Sequence, residues 1–341
     1  MIYLDKCNLG ELECQNVSEA ILDGEISTIG EPIDVFEAAL GLRLGSDVLC
    51  TNSGTAALHL ALLCMKKYDY QTVHLPALTF PATANVAKYC GLKIEFHDVN
   101  PDTWLMEVDE VNDADIYMPV HLYGNPCDSA WYYQNPEAQV IWDACQALGT
   151  TINGGEDVCS LPYSAISFNA NKIITTGGGG ALVGVPVGGK MVYPGTNNEL
   201  GILGYNYRMT GLSAAMGLAQ LHRLDEFVAK KRKFNLIYRN ELSKVACFQE
   251  TIGEHVSPNW WYTAATFEMP ADRLQYKLEE NGVPTRRIFK PLPMQGVYCE
   301  PDLTKYPNSM DIYGRGLCLP VSTRCEEKDI LEVCKTIKII L

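Results

Sequence analysis

Ser167-Phe168-Asn169-Ala170-Asn171-Lys172-Ile173-Ile174-Thr175-Thr176, followed by the run Gly177 to Gly180, reads as an apolar strand that delivers a lysine on a short polar turn. A lysine placed there, with glycines close behind, can be desolvated and approached closely, which is what a nucleophilic, Schiff-base-forming amine requires. The competing reading is a solvated surface lysine beside an ordinary glycine loop. The rest of the chain decides between them.

Working outward from this turn, apolar runs alternate with stretches of helical period from about Val48 to Gly184. The candidate strands are Val73 to Leu75, Ile94 to Phe96, Ile116 to Val120, Val140 to Trp142, Ala165 to Phe168 and Ala181 to Val183. Between them Leu58, Leu62 and Met65 share one helical face, and Ala82, Val86 and Tyr89 share another. Such alternation predicts an α/β fold with a mostly parallel sheet covered by helices on both faces. In sheets of this kind the ligand crevice lies at the carboxyl ends of the strands, where Ser53, Asp143 and Lys172 all fall.

After Gly211 the pattern becomes one long amphipathic helix, with Ala214, Leu218, Leu221 and Leu224 on a stripe, running into a charged stretch from Asp225 to Arg239. A domain boundary is expected near Asp225, giving a large domain over 1–225 and a small C-terminal α/β domain over 226–341. The first 20 or so residues are expected to pack on the small domain. A final helix is expected from Glu326 to Ile339.

Composition narrows the class. In 341 residues, 47% are apolar and 20% charged, the balance of a folded domain with ample core. The formal charge of −14 argues against nucleic-acid polymers and anionic membranes, both of which call for basic patches. A small anionic ligand can still bind where a few cations and backbone amides converge. The 13 cysteines are spread out, with no C-x-x-C pair, and several sit inside apolar patterns, as in a reducing compartment. With no basic and apolar leader and no apolar run of about 18 residues, a cytoplasmic location is expected.

Four further features bear on chemistry. Ser53-Gly54-Thr55 opens a helix, where backbone amides and a positive helix end suit a phosphate, although Ser and Thr also serve there as ordinary caps. Asp143 closes the apolar run Val140-Ile141-Trp142 and needs a cation or several donors; a protonated pyridine nitrogen would be one such partner, a helix cap the plainer role. Gln146 lies three residues on, on the same side of a helical turn. Phe80, at the head of a helix rather than inside it, is placed to stack on a flat ring, whereas most lone phenylalanines are core.

Five blocks occur together in order with Lys172: Asn52-Ser53-Gly54-Thr55-Ala56-Ala57-Leu58, Leu78-Thr79-Phe80-Pro81-Ala82-Thr83-Ala84-Asn85, Val120-His121-Leu122-Tyr123-Gly124, Asp143-Ala144-Cys145-Gln146-Ala147 and Gly204-Tyr205-Asn206-Tyr207-Arg208-Met209. From about Gly30 to Pro320 the chain resembles the DegT/DnrJ/EryC1/StrS family of pyridoxal-phosphate-dependent sugar aminotransferases. The resemblance implies the type I aminotransferase fold and a homodimer with active sites at the subunit interface. It implies that Lys172 bonds the cofactor aldehyde and later shuttles a proton, and that Asp143 pairs with the pyridine nitrogen. Gln146 matches the residue near the ring hydroxyl, Phe80 the stacking aromatic, and Ser53, Gly54, Thr55 and Ser167 the phosphate contacts. Asn206 matches a phosphate contact donated by the neighbouring subunit, with Arg208 a rival for that place.

Within this family the implied reaction is amination of a nucleotide-linked 4-keto-6-deoxy sugar, with glutamate as donor. The stretch Gly282-Val283-Pro284-Thr285-Arg286-Arg287-Ile288-Phe289-Lys290-Pro291-Leu292 is similar to a segment of perosamine synthases and makes Arg286, Arg287 and Lys290 candidate substrate contacts. A solvated basic turn is the alternative. Two departures concern the sugar and nucleotide: Pro293 and Met294 stand where many relatives carry a histidine, and the stretch from Val192 to Gly204 is short and lacks an Arg-His-Gly sequence. His121 is a candidate for the crevice, against the commoner case of a buried, hydrogen-bonded histidine. No His, Cys and Asp spacing of a zinc site is found, so no metal is expected. Alternatives are amination at C3, a sugar dehydratase, in which the relatives replace the lysine by histidine, and a non-catalytic binding protein that keeps the fold.

Overall fold

A computed structural model describes residues 1–65, 70–108, 111, 115–129, 134–135, 138–185, 204–298, 300 and 302–341. Four strands pair in parallel in the order β3 (Lys93–His97), β2 (Thr72–Pro76), β4 (Ile116–Tyr117) and β5 (Gln139–Val140). A second set follows the order β1 (Val48–Thr51), β10 (Gly180–Val183), β9 (Ser164–Ser167) and β6 (Trp142–Asp143). Backbone bonds from Ile141 N to Tyr117 O and from Asp143 N to Pro119 O, with a parallel bridge between Val120 and Asp143, join the two sets into one sheet. Among the described strands of this sheet only β10 runs against the rest, antiparallel to both β1 and β9. The expected mostly parallel sheet is present, and its strands coincide with the apolar runs.

One face of this sheet is covered by α3 (Gly54–Met65) and α4 (Pro81–Tyr89), the other by α2 (Glu31–Leu44) and α5 (Gly211–His222). Helix α3 has Leu58, Leu60, Leu62 and Met65 all buried, because it lies between the sheet and α4 rather than at the surface. In α4, Ala82 and Val86 are buried as expected, but Tyr89 is 61% exposed; the helix ends there, and its last side chain clears the sheet. The long helix expected after Gly211 is two: α5 ends at His222 and α6 (Leu224–Leu242) begins after Arg223, whose φ of −101° and ψ of 0° break the ladder. An apolar stripe continues across such a break, so periodicity alone does not reveal it.

The C-terminal part forms an antiparallel sheet in the order β11 (Ala246–Phe248), β13 (Thr263–Phe267), β15 (Gly316–Leu319) and β14 (Arg286–Arg287), with α7 (Ala271–Glu280), α8 (Pro307–Arg315) and α9 (Glu327–Ile340) packed near it. A small sheet of β7 (Thr151–Ile152), β8 (Glu156–Asp157) and β12 (Val256–Ser257) ties residues 151–157 to the later chain. The N-terminal residues divide between two neighbours. Ile2, Tyr3 and Leu4 pack on the C-terminal core, and Leu4 O accepts from Val321 N, whereas α1 (Glu11–Leu22) packs on α5. Among the described residues no helix is long and apolar enough to cross a membrane.

Candidate active site

A cavity of about 310 Å³ opens where the carboxyl ends of β1, β6 and β9 meet the start of α3. Ser53, Gly54, Thr55, Phe80, Asp143, Gln146, Ser167, Lys172 and Arg286 all line it. Strand ends make this convergence possible: each βα turn projects its polar residue past the same edge of one sheet.

At the floor, Gly54 begins α3 in a space that only glycine fits. A Cβ there would lie 2.7 Å from Cys145 Sγ and 2.9 Å from Ser167 Cβ. Gly180 is equally constrained, since its Cβ would stand 2.4 Å from the carbonyl carbon of Ser53. The two glycines let the first turn of α3 sit directly against β9 and β10, which brings a helix N-terminus to the cavity. First-turn amides have no carbonyl within their helix, and the helix dipole adds positive potential, so this end suits an anion. Ser53 Oγ accepts from Ala56 N at 3.1 Å. The capping role weighed from sequence is therefore real, and it leaves Ser53 at the cavity's edge.

Asp143 is buried and held on two sides. Thr83 Oγ1 donates to its Oδ2 at 2.7 Å and Cys145 N donates to its Oδ1 at 3.2 Å. These donors fix the carboxylate's orientation. Gln146, also buried, accepts through Oε1 from the backbone N–H of Tyr123 at 2.7 Å, which leaves its amide group for other partners. Phe80 caps α4 with its ring 52% exposed and tilted against Phe289, centroids 5.7 Å apart. An aromatic ring left uncovered at a cavity wall is available for stacking.

Lys172 sits on the turn closed by its own N–H to Asn169 O at 2.9 Å. Its Nζ stands 3.8 Å from the centroid of the Trp261 ring. Trp261 is itself fixed, its Nε1 donating to Asn171 O at 2.6 Å. Burial lowers the Lys172 pKa to about 8; Cys145 and Asp143 nearby oppose the shift, and Arg286 adds to it. The ordering is physical: removing water from an ammonium outweighs attraction to neighbouring acids when none forms a contact pair with it.

Arg286 forms the opposite wall, 3.3 Å from Asp5 Oδ2 through Nη2 and donating from Nη1 to Tyr262 OH at 3.0 Å. The Tyr262 hydroxyl also donates to Asp5, and Asn171 Nδ2 donates to the same carboxylate at 3.4 Å. An N-terminal residue thus joins the lysine turn to the C-terminal sheet.

Four sequence candidates lie elsewhere. His121 is fully buried, stacked on Trp142 with centroids 5.4 Å apart, and its Nδ1 accepts from Cys127 N at 3.0 Å. Burial lowers its pKa to about 3, so it is a neutral core histidine, and the reading of it as a substrate contact is corrected. Arg287 points away from the cavity, donating to Tyr313 O at 2.8 Å, because successive residues of β14 face opposite sides. Lys290 is exposed and does not line the cavity. Asn206 is exposed too, its carbonyl accepting from Asn52 Nδ2 at 3.2 Å, and is not part of this chain's own cavity. The short stretch between Val192 and Gly204 falls, up to residue 203, outside the described residues. Three residues went unread in the sequence: Trp261, which lines the cavity, and Thr83 and Asp5, which hold its lining residues Asp143 and Arg286. Thr83 alone carried a signal, one helical turn after Phe80 in the same block.

The model of the DegT/DnrJ/EryC1/StrS aminotransferase family matches residues 8–338. The chain belongs to this family. It is 30% identical over 348 residues to the GDP-perosamine synthase of Escherichia coli O157:H7, covering 95% of this chain and 94% of that protein. Among solved structures, it resembles the sugar aminotransferase CalS13 of Micromonospora echinospora, with a TM-score of 0.88, 25% identity and coverage of 99% of this chain and 100% of that one. It also resembles a Streptococcus pneumoniae protein described as a sugar aminotransferase in its PLP form, with a TM-score of 0.91, 21% identity and coverage of 99% and 98%. Membership makes the chain a transaminase of the type I fold, and the cofactor of this family is pyridoxal phosphate.

Proposed function

We propose that this chain transfers an amino group from glutamate to the C4 keto carbon of a nucleotide-linked 4-keto-6-deoxy sugar, as its GDP-perosamine synthase relatives suggest. The observation that carries the catalytic part is the meeting of Lys172, Asp143 and the α3 N-terminus in one cavity. The donor set fits the cofactor: an amine for the aldehyde, a buried carboxylate for the ring nitrogen, an uncovered aromatic for the ring face, and a glycine-lined helix end for the phosphate. In this reading Ser53, Gly54, Thr55 and Ser167 hold the phosphate, Phe80 covers the ring, Gln146 faces the ring hydroxyl and Asp143 holds the nitrogen's proton. When bound, pyridoxal phosphate supplies an aldehyde carbon and a conjugated electron sink.

The protein's own part is proton management and orientation. With a pKa of about 8, roughly a tenth of the Lys172 amine is neutral at pH 7, against well under a thousandth for an ordinary lysine. A neutral Nζ is a nucleophile, and later a base that takes a proton from the donor's Cα and returns it at the sugar's C4. Thr83 and Cys145 N keep Asp143 pointed in one direction throughout. Arg286 offers a planar guanidinium to a carboxylate, and its single 3.3 Å contact with Asp5 Oδ2 and its bond to Tyr262 keep it at the cavity. Glutamate brings that chemistry as donor.

The assembly proposed is a homodimer in which Asn206 of one copy reaches the phosphate of the other. An exposed side chain beside the cavity rim suits that role. We divide the chain at about Asp225 into a large domain over 1–225 and a small one over 226–341, with the segment before α1 riding on the small domain. The 12 described cysteines are all free, which suits a cytoplasmic enzyme.

Incubating the purified enzyme with glutamate and a panel of nucleotide-linked keto sugars, read by mass spectrometry, tests this directly. The expected result is conversion of a GDP-linked 4-keto sugar to its amine. Amination of a 3-keto sugar alone would refute the regiochemistry, and failure of glutamate to convert the cofactor to its amine form would refute the donor.

A further inference from the structure

We propose that His74, Glu95 and His97 form a binding site for a divalent transition-metal ion of the zinc type, outside the active-site cavity and independent of the reaction above. Parallel pairing of β2 with β3 sets His74 opposite Glu95 and Pro76 opposite His97. Glu95 and His97, two residues apart, face the same side of β3 as each other. The potential ligand atoms of the three residues lie within 4.8 Å of one another.

The geometry around His74 is what distinguishes this cluster from a chance grouping. Its Nδ1 stands 2.8 Å from His97 Nε2, while its Nε2 lies 3.3 Å from Asp115 Oδ2. The ring is also stacked on Tyr117, with centroids 4.7 Å apart and planes at 12°. A carboxylate accepts only from a protonated nitrogen, so Asp115 places the His74 proton on Nε2 and leaves the Nδ1 lone pair aimed at His97. This carboxylate, histidine and ligand-face arrangement is the one that orients metal-binding imidazoles. A metal held between the two facing nitrogens would take the place of the direct contact between them.

Two imidazoles and one carboxylate are a borderline nitrogen and oxygen set that favours Zn²⁺ and its neighbours over Mg²⁺ or Ca²⁺. Tetrahedral ligands about 2.0–2.1 Å from zinc lie about 3.3 Å apart, so the nitrogens must part by about half an ångström. His74 is buried and held, whereas His97 is half-buried and Glu95 exposed, so the adjustment falls on the β3 side chains. Three protein ligands leave a fourth position for water or another donor.

Titration of the chelator-treated holoenzyme with Co²⁺, followed by competition with Zn²⁺, tests the site. One equivalent should bind with the strong d–d bands of a tetrahedral nitrogen and oxygen site and without a thiolate charge-transfer band. Asp115→Asn should weaken binding by about tenfold or more, as loss of an orienting partner does. His97→Ala and Glu95→Gln should weaken it further while leaving the circular dichroism melt in place. Unchanged affinity in both His97→Ala and Glu95→Gln, a thiolate band that would put the metal on cysteines, or no uptake at about millimolar Co²⁺ would each overturn the assignment.

Discussion

The two walls of the cavity were built in different ways. The wall proposed to hold the cofactor comes from strand ends and the turns that follow them, so Ser53, Asp143 and Lys172 each carry a local signature: a polar residue at, or a few positions after, the end of an apolar run. The facing wall is assembled from Trp261 and Arg286 of the C-terminal part, and Asp5, from the opposite end of the chain, pairs with Arg286 and accepts from Asn171 only after folding. Under the proposed function, the residues of the chemistry are marked by local sequence, whereas those that tune it and meet the substrate come together only in the tertiary structure.

That contrast can be broken or sharpened by substitution. Lys172→Ala strikes the first wall hardest and should lower turnover by about 10³-fold or more, the scale of losing a nucleophile and a base together; single-turnover kinetics with glutamate would show it. Asp143→Asn should cost about 10²-fold to 10³-fold in kcat while the cofactor still bonds to the lysine, since a preorganised charge is lost and the amine is kept. If either change left turnover within a few fold of the parent, the division of labour between the walls would fail.

Substitutions in the second wall should move binding and pH dependence more than chemistry. Arg286→Gln should raise KM for glutamate by about tenfold or more, the worth of a charge-assisted hydrogen bond, with a smaller change in kcat. Trp261→Ala gives the smallest and most diagnostic effect. Loss of the ring removes a favourable contact to the ammonium worth about 0.5–1 kcal/mol, but it also admits water, and desolvation is the larger effect on this group. The Lys172 pKa should therefore rise, and the pH at which the apoenzyme captures cofactor should move up by about one unit. In the parent, capture should accelerate as pH rises towards about 8 and level off above it, because only the neutral amine attacks. A downward shift in Trp261→Ala would mean that the ring stabilises the cation more than it excludes water.

Much of the fold was legible for the same reason as the first wall. Sheet strands read as apolar runs, and all six expected runs fall in the observed sheet. The break at Arg223 did not, since the stripe of Ala214, Leu221 and Leu224 stays in phase across it. His121 looked like a crevice residue because it follows Val120 at a strand end, yet its ring is stacked on Trp142 and lies outside the cavity lining. The pair Arg286 and Arg287 illustrates a limit of pattern reading: a strand's two-residue period guarantees that one faces the cavity, but only packing against Tyr262 and Tyr313 selects which. Trp261 lies in a run of aromatic residues that reads as core, and Asp5 in a segment with no periodicity at all.

Borohydride reduction of the pyridoxal-phosphate-loaded enzyme, followed by peptide mass spectrometry, puts the central claim to its most direct trial. A single reduced adduct is expected on the peptide carrying Lys172, absent from Lys172→Ala. An adduct on another lysine, or one that survives in that variant, would contradict it.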